Sequence, residues 1–286
     1  MGARHLRYFD ANTEDRPMQI IAVTNIKGGV GKTTACVNLA FLAAASGLRT
    51  LVWDLDPQGA ATYLLHDAAP AHVSAKKLVS GKRELLDIAL RTEFDRLDLL
   101  PADLSYRKFD VHLNKLEAPV ERLLRLSRPL ANEYDLLFMD CPAGISLLSE
   151  NVLRAADLVL VPLLPTPLSL RTLAQLRDFL HGTGWVDMQL LPFFSMVDRR
   201  RSLHCELTDA TRAQFPDILA TEVPYSSEIE RMTTRRAPIA AYAPRSAGAQ
   251  IFSSLWRELV VRRPALAPRA TPAKTDITNG ATAPGC

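Results

Sequence analysis

The sequence predicts an α/β protein with a doubly wound, mostly parallel sheet and helices on both faces. Short apolar runs rich in β-branched residues alternate with longer segments in which apolar residues recur at helical spacing. The short runs are apolar throughout rather than on alternate residues, as in strands that are buried on both faces. A glycine-rich turn joins the first short run to the first helical segment, which is typical of a βα unit.

The predicted elements keep this alternation along most of the chain. Residues 19–25 form the first strand, and the helix after the glycine-rich turn ends at Gly47, because glycine is a common helix stop. Further strands are expected at 49–56, 97–102, 134–140, 157–163, 188–194 and 218–224. Mostly helical chain is expected at 103–130, 145–155, 168–181, 199–214, 226–235 and 246–262, and residues 60–95 are less regular.

Length and composition are those of an ordinary globular chain. It has 286 residues, of which 48% are hydrophobic and 23% are charged. Since no Pro/Gly-rich linker divides the middle, we expect one domain at residues 18–263. A flexible arm is expected at 1–17 and a disordered tail at 264–286, where the chain becomes rich in Pro, Ala and Thr without periodicity.

The lack of a recognisable secretory signal or membrane span, together with the cysteine spacing, indicates a cytoplasmic protein. The N-terminus has no apolar core of a secretory signal, and no run reaches the roughly 18 apolar residues that a membrane span needs. Cys36, Cys141, Cys205 and Cys286 are far apart and form no C-x-x-C pair, unlike the usual zinc and redox spacings. We therefore expect no membrane attachment.

The net charge of +3 is too small to indicate a polyanionic partner, but its distribution is uneven. Residues 161–286 carry 15 Lys+Arg against 11 Asp+Glu, whereas residues 1–160 carry 19 against 20. The positive excess therefore lies in the C-terminal half.

The glycine-rich turn has the pattern of a phosphate-binding loop. It lies between a predicted strand and a predicted helix, which is the context that such a loop requires. The loop consists of Lys27, Gly28, Gly29, Val30, Gly31, Lys32, Thr33 and Thr34. Glycines let backbone N–H groups surround phosphate oxygens, and the helix start adds partial positive charge. Lys32 is expected to neutralise the β- and γ-phosphates of ATP, and the Thr33 hydroxyl to bind Mg²⁺.

Carboxylates follow two of the predicted strands. Asp54 and Asp56 come at the end of the second strand, and alternation places them on the same side of an extended chain. Asp140 ends the strand at 134–140, and a strand-terminal aspartate downstream of a phosphate loop typically holds Mg²⁺ directly or through water. Asp-Pro and Gln-Gly after Asp56 are also turn formers, so a structural role for this segment stays open.

The loop sequence KGGVGKTT resembles the deviant Walker A motif of the ParA/MinD ATPases, which carries a second lysine at its first position. The resemblance implies that Lys27 reaches the nucleotide of the other subunit in an ATP-bound homodimer. Asp56, in a segment similar to the DxDPQG element of partition ATPases, then orients the attacking water. Similarity extends over residues 18 to 260, and it implies that Met196, Asp198 and Pro224 lie near the adenine. Pro142 is followed by Ala143, where the family often has a second proline.

Basic residues in the C-terminal half resemble those through which partition ATPases bind DNA without sequence preference. They are Arg199, Arg200, Arg201, Arg231, Arg235 and Arg236. The resemblance implies a nucleoid-associated ATPase that is stimulated by a ParB-like or other cargo adaptor. A solvated surface is the usual fate of such charge runs, and Glu228 and Glu230 lie where basic residues would help.

Two rival functions stay open at this point, and the cargo is not specified. One is a metabolic or metal-cluster assembly ATPase on the same fold, which would need substrate-specific polar residues or paired cysteines near the site. The other is a scaffold that dimerises without useful hydrolysis, against which Lys27, Lys32, Asp56 and Asp140 argue. A plasmid, a chromosome origin, a protein organelle such as a carboxysome, or a chemoreceptor array would each suit as cargo. The Pro-rich tail does not resemble the amphipathic membrane helix of the MinD branch.

Overall fold

A computed structural model describes residues 18–67, 72–183 and 188–268 of the chain. The predicted arm at 1–17 and residues 269–286 of the predicted tail lie outside these ranges. In chain order the strands are β1 (Gln19–Val23), β2 (Thr50–Asp54), β3 (Leu90–Arg91), β4 (Leu97–Leu100), β5 (Leu136–Asp140), β6 (Leu158–Leu163), β7 (Gln189–Val197) and β8 (Val223–Pro224).

The strands form one sheet in the order β3-β4-β2-β5-β1-β6-β7-β8. All neighbouring pairs are parallel except the short edge strand β3, which runs antiparallel to β4. The carboxyl ends of β1, β2 and β5 therefore meet at one edge of the sheet. The predicted fold class, a doubly wound and mostly parallel sheet, is confirmed.

Helices cover both faces of the sheet. They are α1 (Lys32–Ala45), α2 (Ala60–Leu65), α3 (Ala75–Val79), α4 (Phe109–Leu113), α5 (Arg122–Ser127), α6 (Leu147–Ala155), α7 (Pro167–Thr183), α8 (Ser202–Gln214), α9 (Ser227–Glu230), α10 (Met232–Arg235), α11 (Ile239–Tyr242) and α12 (Ala247–Arg262). Short 3₁₀ helices lie at 86–88, 104–108, 119–121, 128–132 and 264–266. Within the described ranges, the helices fall short of the length and apolar character needed to cross a membrane.

Two apolar cores result, one on each face, because successive residues of a strand point to opposite sides. Trp53 and Met139 lie in the first core with side chains from α3, α4, α6 and α7. Val52 and Phe138, their neighbours in sequence, lie in the second core with side chains from α1, α2 and α12. The strands are buried on both sides, as their continuous apolar sequences predicted.

Three predicted boundaries differ from the structure. The chain at 103–130 is broken into short α and 3₁₀ segments, partly because Pro119 and Pro129 cannot continue a helix. The strand predicted at 218–224 pairs only at Val223–Pro224, since Ile218 and Leu219 are buried in irregular chain. Residues 264–268 of the predicted tail lie in the described part of the chain, where Pro264–Leu266 forms a 3₁₀ helix with Leu266 fully buried.

Asn38 ties α1 to the C-terminal helices. Its amide nitrogen donates to the Thr34 carbonyl at 2.8 Å and to the Met232 sulfur at 3.1 Å. Its amide oxygen accepts a hydrogen bond from the Ile239 backbone N–H at 2.9 Å. Asn38 is 1% exposed, so these buried polar groups depend on one another rather than on water.

Replacing Asn38 with alanine should lower the free energy of unfolding by about 1–3 kcal/mol, because the buried Ile239 N–H loses its acceptor. Urea denaturation of the purified protein measures this change. Asn114→Ala is the matched control, since Asn114 is exposed and should stay within about 0.5 kcal/mol of wild type. Equal stability of Asn38→Ala and Asn114→Ala would contradict the anchoring role.

Candidate nucleotide site and surrounding charges

The loop between β1 and α1 presents free backbone donors at a helix start. Gly31 is the N-cap residue of α1 in the left-handed conformation, with φ 87° and ψ 25°, and glycine has no side chain that could cap the first N–H groups. The first turn contains no acidic residue. A 14-residue helix with uncapped N–H groups and partial positive charge at its start favours an anion such as a phosphate group.

The start of the loop is held by Asn25, a residue that the sequence patterns did not single out. The Asn25 amide donates to the Pro162 carbonyl at 2.7 Å, and its oxygen accepts from the Lys27 N–H at 2.9 Å. Val30 is fully buried, whereas Gly28 and Gly29 are exposed. An Asx turn at Asn25 is a recognisable signal, since Asn often bonds to the backbone two residues later.

The two loop lysines lie in different environments. Lys32 is only 8% exposed, and its ammonium group donates to the Lys27 carbonyl at 3.1 Å. Lys27 is half-buried, and no ion pair involves it among the described residues. The Lys32 ammonium group is thus held against the loop backbone, whereas Lys27 lies at the rim of the loop and remains partly exposed to solvent.

Two carboxylates are buried side by side at the carboxyl ends of β2 and β5. The strand register places Asp54 opposite Asp140, and both side chains are fully buried. Burial and the neighbouring Asp54 charge raise the pKa of Asp140 well above its usual range, although the Thr33 hydroxyl and the Lys32 ammonium act in the opposite direction. Burial likewise raises the pKa of Asp54 to about 6.

The chemistry of these groups fits a divalent cation. Among the described residues, neither oxygen of Asp140 has a hydrogen-bond partner. A buried carboxylate without a donor is costly unless a cation compensates it. Asp140 and the Thr33 hydroxyl supply the oxygen ligands that Mg²⁺ prefers. Asp140 and Thr33 are therefore the residues that would hold the ion.

Asp54 and Asp56 differ in burial and in hydrogen-bond partners, although the Asp56 N–H donates to Oδ1 of Asp54 at 3.2 Å. The strand ends at Asp54, whose Oδ2 accepts from the Thr62 N–H and hydroxyl, both at 2.7 Å. Asp56 lies in the following turn, is half-buried, and accepts from the Gln58 N–H at 2.9 Å. Asp54 is thus an anchor for α2, and Asp56 also has the turn role that stayed open.

The residues predicted near the adenine lie together at the β7–β8 edge. Pro224 pairs with Val197, which separates Met196 from Asp198. A bulge at Ser195–Val197 puts Met196 in the left-handed region, with φ 55°. Its Cε lies 4.0 Å from the position that a Cβ on Gly31 would take, so Met196 is next to the phosphate loop. Asp198 forms a two-fold hydrogen bond with Arg200, which lowers the pKa of Asp198 to about 2.

The six predicted DNA-binding arginines divide into two groups. Arg199 forms a salt bridge with Glu222, and Arg200 with Asp198. Arg236 donates to the carbonyls of Tyr63 and His66, lies over the Tyr63 ring and pairs with Asp67. The exposed residues Arg201, Arg231 and Arg235 have no salt bridge within the ranges that the structure describes. Of the six predicted arginines, these three are therefore the ones without a salt-bridge partner among the described residues.

A glycine loop at a helix start, a buried lysine in that loop and a buried strand-end carboxylate together define a P-loop nucleotide-binding protein. Comparisons with known proteins narrow this class. Residues 18–183 match the model of a family described as AAA domain. Over 250 residues the chain is 31% identical to the sporulation initiation inhibitor protein Soj of Bacillus subtilis (strain 168), covering 84% of this chain and 98% of that protein.

Two further similarities extend the comparison. The chromosome partitioning protein ParA of Caulobacter vibrioides (strain NA1000 / CB15N) is 31% identical over 258 residues, with 86% of this chain and 95% of that protein covered. The structure of cobyrinic acid a,c-diamide synthase from Mycobacterium smegmatis with bound ADP and magnesium superposes with a TM-score of 0.73. It is 26% identical and covers 89% of this chain and 100% of that one.

The chain belongs to the ParA/MinD family of partition ATPases. It is accordingly an ATPase, with ATP as its nucleotide and Mg²⁺ as its metal ion. The resemblance stated for the loop sequence is thereby confirmed at the level of the family. The roles of individual site residues stay predictions.

The close approach of Ser195 to the loop yields a test of the loop geometry. A Cβ on Gly31 would lie 2.9 Å from the Ser195 hydroxyl oxygen, in addition to the positive φ at Gly31. Gly31→Ala should therefore lower the free energy of unfolding of the nucleotide-free protein by about 2–4 kcal/mol, from left-handed strain and overpacking together. Urea denaturation measures the change.

Two variants separate these causes. Gly29→Ala has a positive φ but open space around the added methyl, so it should lose only about 1–2 kcal/mol. Adding Ser195→Ala to Gly31→Ala removes the crowding oxygen and should recover the difference between the two glycine variants. If the double variant is no more stable than Gly31→Ala, Ser195 does not limit the space at the loop.

Proposed function

We propose that the chain is a partition ATPase whose ATP-bound homodimer binds DNA without sequence preference. A cargo-bound adaptor protein then stimulates hydrolysis and releases the dimer, so that a plasmid, a chromosome or a protein organelle is segregated or positioned. The observation that carries the proposal is that the loop contains two lysines in different environments. Lys32 is buried in the loop, whereas Lys27, at the first position of the loop, is half-buried and lies at its rim.

The proposed reaction is attack of water on the γ-phosphate of ATP, which breaks the bond from the γ-phosphorus to the oxygen bridging to the β-phosphate and releases ADP and phosphate. The loop N–H groups and Lys32 hold the phosphates, and their charge stabilises the transition state. Asp140 and Thr33 would hold Mg²⁺, which would supply positive charge that offsets the charge of the phosphates. Asp56 positions the attacking water, and Lys27 supplies charge to the nucleotide of the other subunit. Because Lys27 acts only across the dimer, hydrolysis is coupled to association.

The positions of the two lysines predict different defects. Lys32→Ala should abolish ATP binding, because the buried charge beside the loop is removed. Lys27→Ala should bind ATP within about threefold of wild type but should neither dimerise nor hydrolyse ATP, since its charge acts on the opposite subunit. Isothermal titration and analytical ultracentrifugation with ATP measure the two properties.

Lys82→Ala, an exposed loop lysine away from the site, is the control and should behave as wild type. A Lys27→Ala protein that dimerises and turns over ATP normally would exclude the action of Lys27 across the dimer.

The pairing of the arginines predicts which of them contribute to DNA binding. Neutralising Arg231 and Arg235 with glutamine should weaken binding about equally for all sequences and lower the salt slope by about one unit for each lost phosphate contact. Arg236→Gln should change the slope little, because its guanidinium is bonded to backbone carbonyls, but should lower stability by about 1–3 kcal/mol. Gel shifts with ATP over a salt series, alongside urea denaturation, distinguish these effects.

Wild-type protein with ADP is the negative control and should release DNA. An unchanged salt slope for the Arg231/Arg235 variant would show that these two residues do not contact DNA. No retention of DNA by wild type with ATP at any salt concentration would overturn the proposed function itself.

A metabolic ATPase is the second candidate, because the similarity to the Mycobacterium smegmatis amide synthase covers 89% of this chain. The partition function is favoured by the higher identity to Soj and ParA and by Lys27 at the loop rim. The DNA-retention assay separates the two candidates, since an amide synthase does not require ATP-dependent DNA binding.

A further inference from the structure

A second group of cations lies on the opposite helical layer from Arg231 and Arg235. Ala75, Leu78, Phe109 and Leu113 anchor α3 and α4 in the first core. Met232, between the two arginines, is buried in the second core, on the other side of the sheet. Lys76, Lys108, His112 and Lys115 on and beside α3 and α4 are here called the lysine face.

Hydrogen bonds fix the two segments of the lysine face against each other. The Ala75 N–H at the start of α3 donates to the Ser105 hydroxyl at 2.9 Å, and that hydroxyl donates to the Val73 carbonyl at 3.2 Å. The Asp103 carboxylate accepts from the N–H groups of Val73 and Ser105. Lys76 and Lys108 each lie within three residues of this junction, so their positions are set by ordered backbone.

The charges of three lysines act on one imidazole, that of His112. Partial burial, followed by the charges of Lys115, Lys76 and Lys108, lowers the pKa of His112 below its usual value. The three lysines are exposed, and none forms a salt bridge in the parts of the chain that the structure describes. Mutual repulsion of this kind is relieved when a polyanion binds.

The nearby carboxylates are directed elsewhere. Asp110 on α4 accepts from the Leu148 N–H at the start of α6 at 2.8 Å. Asp103 bonds to the backbone and to His72. Glu117 is exposed and is the one acidic residue within three positions of Lys115 in sequence. The lysine face therefore keeps an excess of positive charge.

We propose that the lysine face is a second surface that binds the phosphate backbone of duplex DNA, separate from the arginines at 231 and 235. The inference rests on the proposed DNA-binding function and extends it. Lysines act as point charges that contact phosphates without reading bases, so the surface suits binding without sequence preference. Because the two surfaces lie on opposite layers, their contributions to binding should add.

The test is a salt series of DNA binding with ATP by a Lys76→Gln/Lys108→Gln/Lys115→Gln variant. Its affinity should fall at least roughly tenfold at 50 mM salt, and its salt slope should fall by about 2–3 units, from the three lost phosphate contacts. The corresponding lysine-to-arginine variant keeps the charges and should retain the wild-type slope. Thermal unfolding and basal ATP hydrolysis should be unchanged, since these exposed residues lie outside the nucleotide site.

The control variant removes three charges that are already paired with carboxylates. Arg91→Gln/Arg96→Gln/Arg125→Gln changes the net charge by the same amount, and each arginine has a salt-bridge partner. Its slope should remain near that of wild type. An equal loss of salt slope in the control and lysine variants would show that net charge alone accounts for the effect, and it would overturn the proposal.

A site-specific measurement accompanies the binding data. The imidazole of His112, assigned in the NMR spectrum by comparison with His112→Gln, should have a higher pKa with a short duplex DNA bound than without it, because phosphates offset the three ammonium charges. An unchanged His112 pKa together with an unchanged slope in the lysine variant would overturn the proposal.

Three further outcomes are distinguishable. If the lysine variant loses binding to poly-L-glutamate but not to DNA, the face is a docking site for an acidic protein and the DNA proposal is wrong. If wild type with ATP retains no DNA at all, the proposed function fails together with this inference. Retention by wild type with no difference in the lysine variant overturns only the second surface.

Discussion

The repulsion between two buried carboxylates, Asp54 and Asp140, is the constraint on which the nucleotide site depends. They end neighbouring parallel strands in register, so the sheet order itself brings them together. Asp54 is partly compensated by two hydrogen bonds from Thr62, but Asp140 has no such partner among the described residues. A buried carboxyl without a donor either keeps its proton, as the raised pKa of Asp140 indicates, or is charged beside a cation. The helix start brings Lys32 and Thr33 to this edge, and Mg²⁺ bound beside them would compensate the charged form.

The loop that carries Lys32 is positioned by contacts from distant parts of the chain. Asn25 bonds across to Pro162 on β6, and the Ser195–Met196 bulge on β7 lies against Gly31. From the same helix, Asn38 bonds to Ile239 and Met232, which flank Arg235 and Arg236. A continuous set of contacts therefore joins the phosphate loop to the segment with the exposed arginines.

Much of the fold could be predicted from the sequence, because buried parallel strands and glycine-ended helices have strong local patterns. The phosphate loop and Asp140 could be located for the same reason: their chemistry depends on consecutive residues at a strand end. Asn38, Ser195 and the burial of Asp54 could not, since each depends on residues that are far away in sequence. The strand predicted at 218–224 was too long because apolar residues are also buried in irregular chain, as Ile218 and Leu219 are.

The charged surface shows why composition is a poor guide to polyanion binding in this protein. The C-terminal half has the positive excess, yet Arg199, Arg200 and Arg236 are held by carboxylates or backbone carbonyls. The N-terminal half is close to neutral overall, yet its acidic residues Asp103 and Asp110 are turned toward backbone N–H groups, and Lys76, Lys108 and Lys115 form no salt bridge with any described residue. A cation that is already paired gains little from a phosphate, because the new contact replaces an existing one, whereas an unpaired cation among like charges gains both the contact and relief of repulsion. We therefore expect a polyanion to bind where unpaired cations lie rather than where basic residues are most numerous.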